Sequence, residues 1–459
     1  MIVLLLPLAN AQFGTIKIDW KGETAKLSDF GQQPSNLGAC KRVPPASAAW
    51  DKIEGAVLGA LIADALALRD HYEYSIERIL PRGIIRDFAD PSTDNLTPGW
   101  GAGPTCFHPK RVAGELTDYG DNVLWVLRSA VVQRQSTGLF EDAVYASHWV
   151  AEMHTHDGYV NMASRRTLAV MERNGQWSSA AAGDFGDFPG PARAAGLLPG
   201  FARVQELQEA ARAVSGLTHA DRLSWHTSAL VAAVPHCLAS SGEPLIGIGG
   251  CLERHLPSGE DAEDDEAARA VRDLVHSASD RAADVERMHG GWVTQAASAR
   301  TLQEDDVRRD EIALNALQLR DGRHLGGLPK ASPIFRVLPE AVYLALRYEA
   351  DAEAGITANA MLGGDSAARA TLVGRWALAT RIPTLETRVL WLARLTLASA
   401  VTQLAWRSAL CAKLALPLEA RTQGCAGGAP AYLATARDVL RFAGRCVFIV
   451  SGEFAVSQI

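Results

Sequence analysis

Two short motifs in this chain combine acids with a position at the head of an apolar run. Residues 117–122 read Thr-Asp-Tyr-Gly-Asp-Asn, and residues 363–366 read Gly-Gly-Asp-Ser. A helix that begins at each motif would offer free backbone N–H groups and a positive dipole end. The acids suit a cation and the N–H groups suit a phosphate. We therefore ask whether the two helix starts converge on one site.

A third group of candidates lies in the first apolar stretch, which predicts a helix from residue 52 to about residue 68. Small residues recur there at every fourth position, at Gly55, Gly59, Ala63 and Ala67. This stripe lets another backbone approach closely, so the helix is expected to be central. Asp64 lies in the helix, and His71 follows on nearly the same face. A buried acid needs a hydrogen-bonding partner or a cation.

The elements that must position these residues are helical. From residue 46 onward the sequence is rich in alanine and leucine and poor in strand signals, which predicts an all-α fold, a multi-helix orthogonal bundle. We divide the chain into an N-terminal extension (1–45), a helical domain (46–384) and a C-terminal helical extension (385–459) packed on or beside it. Within the extension, alternation over residues 14–20 is strand-like.

Composition limits the classes of function. Of 459 residues, 48% are hydrophobic and 21% charged, and 45 basic against 52 acidic residues give a net charge of −7. No basic stripe with interleaved aromatics is present, so nucleic acid is not an expected partner. No apolar run reaches the roughly 20 residues that a transmembrane helix needs.

Cysteine use and the amino terminus bear on the compartment. Seven scattered cysteines without a Cys-x-x-Cys pair predict mostly free thiols and no disulfide framework. Residues 1–11 resemble the remnant of a signal peptide, but the apolar run is short and no basic residue precedes it. The sequence therefore favours an intracellular or organellar protein over a secreted one.

The fragments, taken in order, resemble the ADP-ribosylglycohydrolase family over about residues 52–380. The resemblance is carried by the run from Gly55 to Leu66, by Thr117-Asp118, and by Gly363-Gly364-Asp365 with Gly374 beyond it. It implies an all-helical fold of that type. In active members it implies a pair of magnesium or manganese ions that bind ribose hydroxyls and position a water at the anomeric carbon. Conjugates of ADP-ribose, linked through arginine, serine or other groups, are the implied substrates.

The chain departs from the family pattern at several ligand positions. Tyr119 stands in place of the second acid of the first motif, and Gly120 in place of its second threonine. Ala367 and Ala368 replace the acid and threonine of the second motif, and His71 replaces a glutamate. These losses favour one bound ion over two. The same departures resemble the J-crystallin and selenoprotein J branch, which includes jellyfish lens crystallins and is the closer resemblance.

The first hypothesis is a hydrolase that cleaves a glycosidic bond of an ADP-ribosyl or related nucleotide-sugar substrate at a depleted metal site. In it Asp118 and Asp365 are ligands of one magnesium or manganese ion, assisted by Thr117. Waters complete the octahedron, and Asp121 contributes if it turns inward.

The same hypothesis assigns catalytic and binding roles. Histidine is a common general base near neutral pH, and in this hypothesis His71, oriented by Asp64 or Asp121, activates the water. The phosphates of an ADP-ribose-like ligand would lie against the N–H groups of Gly363 and Gly364.

Two other hypotheses remain open. One is a catalytically silent structural or binding protein, as in a crystallin, in which Asp121 and Asp365 only cap their helices and Asp365 pairs with Arg369. The other is a subunit of a larger assembly, docked through the C-terminal helices predicted at about 387–414 and 431–450.

Overall fold

The computed structural model describes residues 2–6, 14–18, 48–99, 103–137, 139–174, 183, 186–240, 247–289, 301–325 and 327–380. The chain divides into two compact units. One comprises Met1–Val43 with Ala415–Ile459, and the other comprises Pro44–Leu414. The C-terminal helices that the sequence predicts after residue 384 lie outside the described residues.

The described part of the first unit is a two-stranded antiparallel ladder. Strand β1 (Ile2–Leu6) pairs with β2 (Gly14–Ile18) so that Ile2 lies opposite Ile18. The second strand falls in the stretch whose alternation predicted a strand. The first strand falls in the apolar segment that resembles a signal peptide.

The second unit is helical, which confirms the all-α fold expected for it. Its described helices are α1 (Ala48–Ala67), α2 (Ile76–Ile79), α3 (Asp118–Ser136), α4 (Asp142–Thr155), α5 (Met162–Asn174), α6 (Pro189–Ala192), α7 (Val204–Gly216), α8 (Arg222–Ser240), α9 (Ile248–Arg254), α10 (Ala262–His289), α11 (Glu304–Asn315), α12 (Ile334–Arg347), α13 (Ala352–Leu362) and α14 (Ser366–Thr380). Short 3₁₀ helices span Leu68–Asp70, Leu80–Arg82 and Arg193–Gly200. Across the described ranges, no helix is both long enough and apolar enough to cross a membrane.

Helices α1 and α14 form the centre of this unit, because glycines let their backbones touch. A Cβ added at Gly59 would lie 2.0 Å from the carbonyl oxygen of Gly374, and one added at Gly55 would lie 2.4 Å from that of Leu378. The close approach predicted from the small-residue stripe is confirmed. Asp64 lies on α1, one of these two central helices.

A disulfide joins Cys237 in α8 to Cys251 in α9, with 5.8 Å between their Cα atoms. The expectation of free thiols is wrong for this pair, because packing of α9 against α8 brings together two cysteines whose spacing forms no recognisable motif. Cys106 is free.

Candidate active site

Asp64 anchors the beginning of α3 to α1. One of its oxygens accepts hydrogen bonds from the Thr117 hydroxyl (2.6 Å) and the Gly120 N–H (3.2 Å), and the other accepts one from the Thr117 N–H (2.8 Å). A Cβ at Gly120 would lie 2.4 Å from this carboxylate, so glycine is needed for the approach. Burial raises the pKa of Asp64 to about 6, against the opposing effect of the Thr117 hydrogen bonds. The two oxygens are thus used in holding α3.

Asp118, the first residue of α3, is buried but only half satisfied. Its Oδ2 accepts a hydrogen bond from the Asn161 side-chain amide at 3.1 Å. Its Oδ1 has no hydrogen-bond partner among the residues that the structure describes. Burial raises the pKa of Asp118 well above its ordinary value, and the negative charge of Asp365 adds to the effect. A buried carboxyl with an orphaned oxygen is costly, and such groups are concentrated at functional sites.

The turn that carries Asp365 is built on two glycines with positive φ, Gly363 (62°) and Gly364 (65°). A Cβ at Gly363 would lie 2.1 Å from the carbonyl oxygen of Glu73. The N–H of Gly364 donates to that same oxygen (2.6 Å), and the N–H of Asp365 donates to the carbonyl of Lys330 (2.6 Å). Backbone hydrogen bonds to Glu73 and to Lys330 therefore hold the turn in place, which fixes the direction of the Asp365 side chain.

Backbone strain is concentrated at this turn. Tyr72 (φ 69°) and Lys330 (φ 64°) are the non-glycine residues with positive φ in the described ranges. The Tyr72 N–H donates to the carbonyl of Gly364 at 2.7 Å, and the Lys330 carbonyl accepts from Asp365. Such conformations cost about 1–3 kcal/mol each and cluster at functional sites, so the strain singles out this turn.

A chain of hydrogen bonds runs through Asp365. The Tyr119 hydroxyl donates to its Oδ2 (2.7 Å), and its Oδ1 lies 2.9 Å from Nε2 of His71. Nδ1 of His71 lies 2.8 Å from Nε2 of His108. Placing the His71 proton on Nε2, against the carboxylate, makes Nδ1 an acceptor for His108. Nδ1 of His108, which has no partner among the described residues, is then the free ring nitrogen of the chain.

Aromatic side chains surround these acids and histidines. The rings of Tyr72 and Phe107 lie 4.6 Å apart, and that of Tyr159 lies 5.3 Å from Phe107 and 6.0 Å from His108. All three are partly exposed, whereas His108 is buried. Burial lowers the pKa of His108 well below its ordinary value, so its ring is neutral. The aromatic residues form a rim over a buried acidic centre, which is an arrangement suited to a flat or sugar-bearing ligand.

Comparisons with known proteins identify the family of the chain. The sequence model of the ADP-ribosylglycohydrolase family matches residues 45–413. The chain belongs to the ADP-ribosylglycohydrolase family. The match extends beyond residue 384, where we placed the end of the helical domain.

A solved structure described as an ADP-ribosylglycohydrolase-related protein complex is similar with a TM-score of 0.50. The two are 18% identical, and the similarity covers 80% of this chain and 99% of that chain. At this identity the likeness shows the fold. A search of curated proteins found no match.

The residues present do not fit the metal site that is typical of an ADP-ribosylglycohydrolase. The Thr117 hydroxyl donates to Asp64, and the two oxygens of Asp365 accept from Tyr119 and His71. Within the described ranges, no three acid, histidine or cysteine side chains are grouped to hold an ion. Of the predicted ligand atoms, Oδ1 of Asp118 is left without a hydrogen-bond partner among the described residues, so the protein would offer an ion this one oxygen and water would have to supply the rest of the coordination shell.

Asp121 does not turn toward Asp118 and Asp365 as a further ligand. Its Oδ2 lies 2.5 Å from the Arg111 guanidinium and 3.8 Å from Nδ1 of His156. Burial raises the pKa of Asp121 to about 7, and the Arg111 charge opposes this shift. The ion pair with Arg111 therefore holds the Asp121 side chain away from Asp118 and Asp365.

Two further expectations need correction. The N–H groups of Gly363 and Gly364 are not free for a phosphate, because they donate to the carbonyls of Ala360 and Glu73. His71 is hydrogen-bonded to Asp365 and His108, and Asp64 and Asp121 do not orient it, because their oxygens are held by α3 and by Arg111.

Of the helix-cap alternatives, the Asp365 cap is present, since Oδ1 accepts the Ala368 N–H at 3.3 Å. Its predicted partner Arg369 pairs instead with Glu340, at 3.3 Å. Both of these charged residues are fully buried, and the guanidinium also donates to the carbonyl of Gly363 at 2.5 Å. Arg369 therefore stabilises the turn at Gly363 and does not bind the Asp365 carboxylate, which is hydrogen-bonded to Tyr119 and His71.

Sequence reasoning missed two members of the site. The sequence pattern indicates only the loss of an acid at Tyr119, although a tyrosine in a buried turn carries a hydroxyl that needs a hydrogen-bond partner. His108 lies in a Gly/Pro-bearing loop without a motif, and nothing in the sequence connects it to His71. The three-dimensional fold alone brings these rings together.

Proposed function

We propose that this protein hydrolyses a glycosidic bond of an ADP-ribosyl or related nucleotide-sugar substrate. The observation that carries the proposal is the orphaned Oδ1 of the buried Asp118, which lies in the electrostatic field of Asp365 at the aromatic rim. Family membership supports the reaction class. The substrate and the presence of activity are our proposal.

Asp118 is the proposed general acid. Hydrolysis breaks the bond between the anomeric carbon and the leaving atom, which needs a proton, and forms a bond from the carbon to a water oxygen. Burial keeps the Asp118 carboxyl protonated to higher pH than an exposed aspartate, so it can supply that proton through Oδ1. The hydrogen bond from Asn161 to Oδ2 fixes the orientation of the group.

The water loses a proton in the same reaction, and His108 is the proposed acceptor. Nδ1 of His108 has no partner among the described residues and can accept a proton on the neutral ring, and the hydrogen-bond chain through His71 to Asp365 orients that ring. His71, the base expected from sequence, has both ring nitrogens engaged and becomes a positioning residue. The ring of Tyr159 lies beside His108, with 6.0 Å between the ring centroids.

The test is release of ADP-ribose from a panel of arginine-linked, serine-linked and small-molecule conjugates. We expect Asp118→Asn to lower kcat by about 10²–10⁴-fold with little change in KM, because loss of a general acid acts on the chemical step. Glu115→Gln, in the loop before α3, is the matched control and should keep wild-type rates. Equal turnover by Asp118→Asn and wild type would refute the assignment of the acid.

A second candidate function is a catalytically silent J-crystallin-like structural or binding protein. What favours it is the saturation of Asp365 by Tyr119 and His71, since these departures from the family pattern satisfy each other. The same panel separates the two: binding of ADP-ribose without turnover of any conjugate supports the silent protein. The branch assignment, and an assembly formed through the C-terminal helices, stay predictions.

A further inference from the structure

The hydrogen bonds on Asp365 account for most of what its carboxylate can accept. The Tyr119 hydroxyl, the His71 ring and the Ala368 N–H lie 2.7, 2.9 and 3.3 Å from its oxygens. A carboxylate offers about four acceptor sites. Asp365, Tyr119 and His71 are all buried, so neither ring swings out to make room without disturbing the core.

The resemblance of the sequence motifs implies acids at the positions of the two ring donors, a second acid of the first motif at Tyr119 and a glutamate at His71. Each change removes an anionic oxygen and adds a hydrogen-bond donor. Both donors reach the same carboxylate, so the two changes act on one residue from opposite sides.

We infer that Tyr119 and His71 replace a divalent cation as the partners of Asp365, and that the site binds its ligand without magnesium or manganese. The positive ends of the O–H and N–H dipoles take over the charge compensation that an ion supplies elsewhere. Thr117 cannot restore an ion, because its hydroxyl is donated to Asp64. The inference rests on the proposed function for the ligand, but its metal part is independent of any substrate.

The first test is titration of manganese into the chelator-treated full-length protein, followed calorimetrically and by the electron paramagnetic resonance signal of free Mn²⁺. We expect no saturable binding by wild type at about 1 mM ion, a concentration at which carboxylate sites for hard cations fill. Saturable binding that weakens in Asp365→Asn would overturn the inference.

The second test removes the hydrogen bond from Tyr119 to Asp365 and measures the effect on stability. Tyr119→Phe should lower the melting temperature by about 4 °C, equally in chelator and in manganese, because a buried carboxylate loses a donor. Tyr145→Phe is the matched control, since the Tyr145 hydroxyl is buried without a hydrogen-bond partner among the described residues. A Tyr119→Phe variant as stable as wild type contradicts the inference. Neither test uses a substrate, so its failure is distinguishable from failure of the proposed hydrolysis.

Discussion

Replacing Thr117 by valine tests whether Asp64 and Thr117 are scaffold residues or ligands. Valine keeps the shape of the side chain but removes the hydroxyl that donates to Asp64 at 2.6 Å and accepts from the Tyr119 N–H at 3.2 Å. A hydrogen bond to a charged group contributes about 1.5–3 kcal/mol and a helix cap about 1 kcal/mol, so we expect a loss of about 3 kcal/mol. Thr117→Ser, which keeps the hydroxyl, should lose far less.

The loss should depend on pH, since the Thr117 hydrogen bonds oppose the rise in the pKa of Asp64. In the folded wild type this pKa is about 6, against 3.8 for the ordinary group. A raised carboxyl pKa means that the folded state holds the proton more tightly, so stability falls as pH rises from 3.8 toward 6. Removing the Thr117 hydroxyl raises the pKa of Asp64 in the folded state further. The variant therefore continues to lose stability as the pH rises above about 6, where the wild type no longer does.

The measurement is urea unfolding of wild type, Thr117→Val and Thr117→Ser, followed by circular dichroism at about pH 5 and about pH 8. The valine deficit should be larger at the higher pH. A Thr117→Val variant within about 0.5 kcal/mol of wild type at the higher pH would refute the anchoring role, because that is the range of neutral surface substitutions.

Two further predictions concern the scaffold. Replacing both Cys237 and Cys251 by serine should lower the free energy of unfolding by about 3 kcal/mol, the value expected for a disulfide whose cysteines are 14 residues apart. Mass spectrometry of the non-reduced wild type should show the bond. Cys106→Ser, which removes a free thiol, should cost much less. A bond that is absent by mass spectrometry contradicts this prediction. Gly59→Ala should lower the free energy of unfolding by about 1–3 kcal/mol or more, because the added methyl group overpacks against α14. Gly249→Ala in α9 should be neutral, since the nearest atom to the added methyl group would lie 3.5 Å away. Equal melting temperatures for the two variants would contradict this prediction.

Much of the fold could be predicted from local sequence. The helix predicted from Lys52 to about Leu68 is α1 (Ala48–Ala67). Its apolar character and its small-residue spacing are local properties of the sequence. The disulfide between Cys237 and Cys251 was not predictable, because it depends on how α9 packs on α8.

The sequence indicated the acids of the candidate site, but it did not indicate Tyr119 and His108 as members or the hydrogen bonds that connect them. Asp64, Asp118 and Asp365 do converge, since the Asp365 charge acts on Asp118 and Thr117 links α3 to Asp64. The sequence could not show that Tyr119 bonds to Asp365, because the two are far apart along the chain. It could not show that the Gly363 and Gly364 N–H groups are used internally, since their acceptors include the distant carbonyl of Glu73.

The central claim is that the Asp118 and Asp365 centre takes an ADP-ribose-like ligand without a divalent ion. The most direct test is calorimetric titration of ADP-ribose into wild type and Asp118→Asn, each in excess chelator and in magnesium. The account predicts that wild type binds with the same affinity in both buffers, and that Asp118→Asn, which loses the acid of the chemical step, also binds ADP-ribose independently of magnesium. No binding by wild type in either buffer, or binding only with magnesium, would contradict the account.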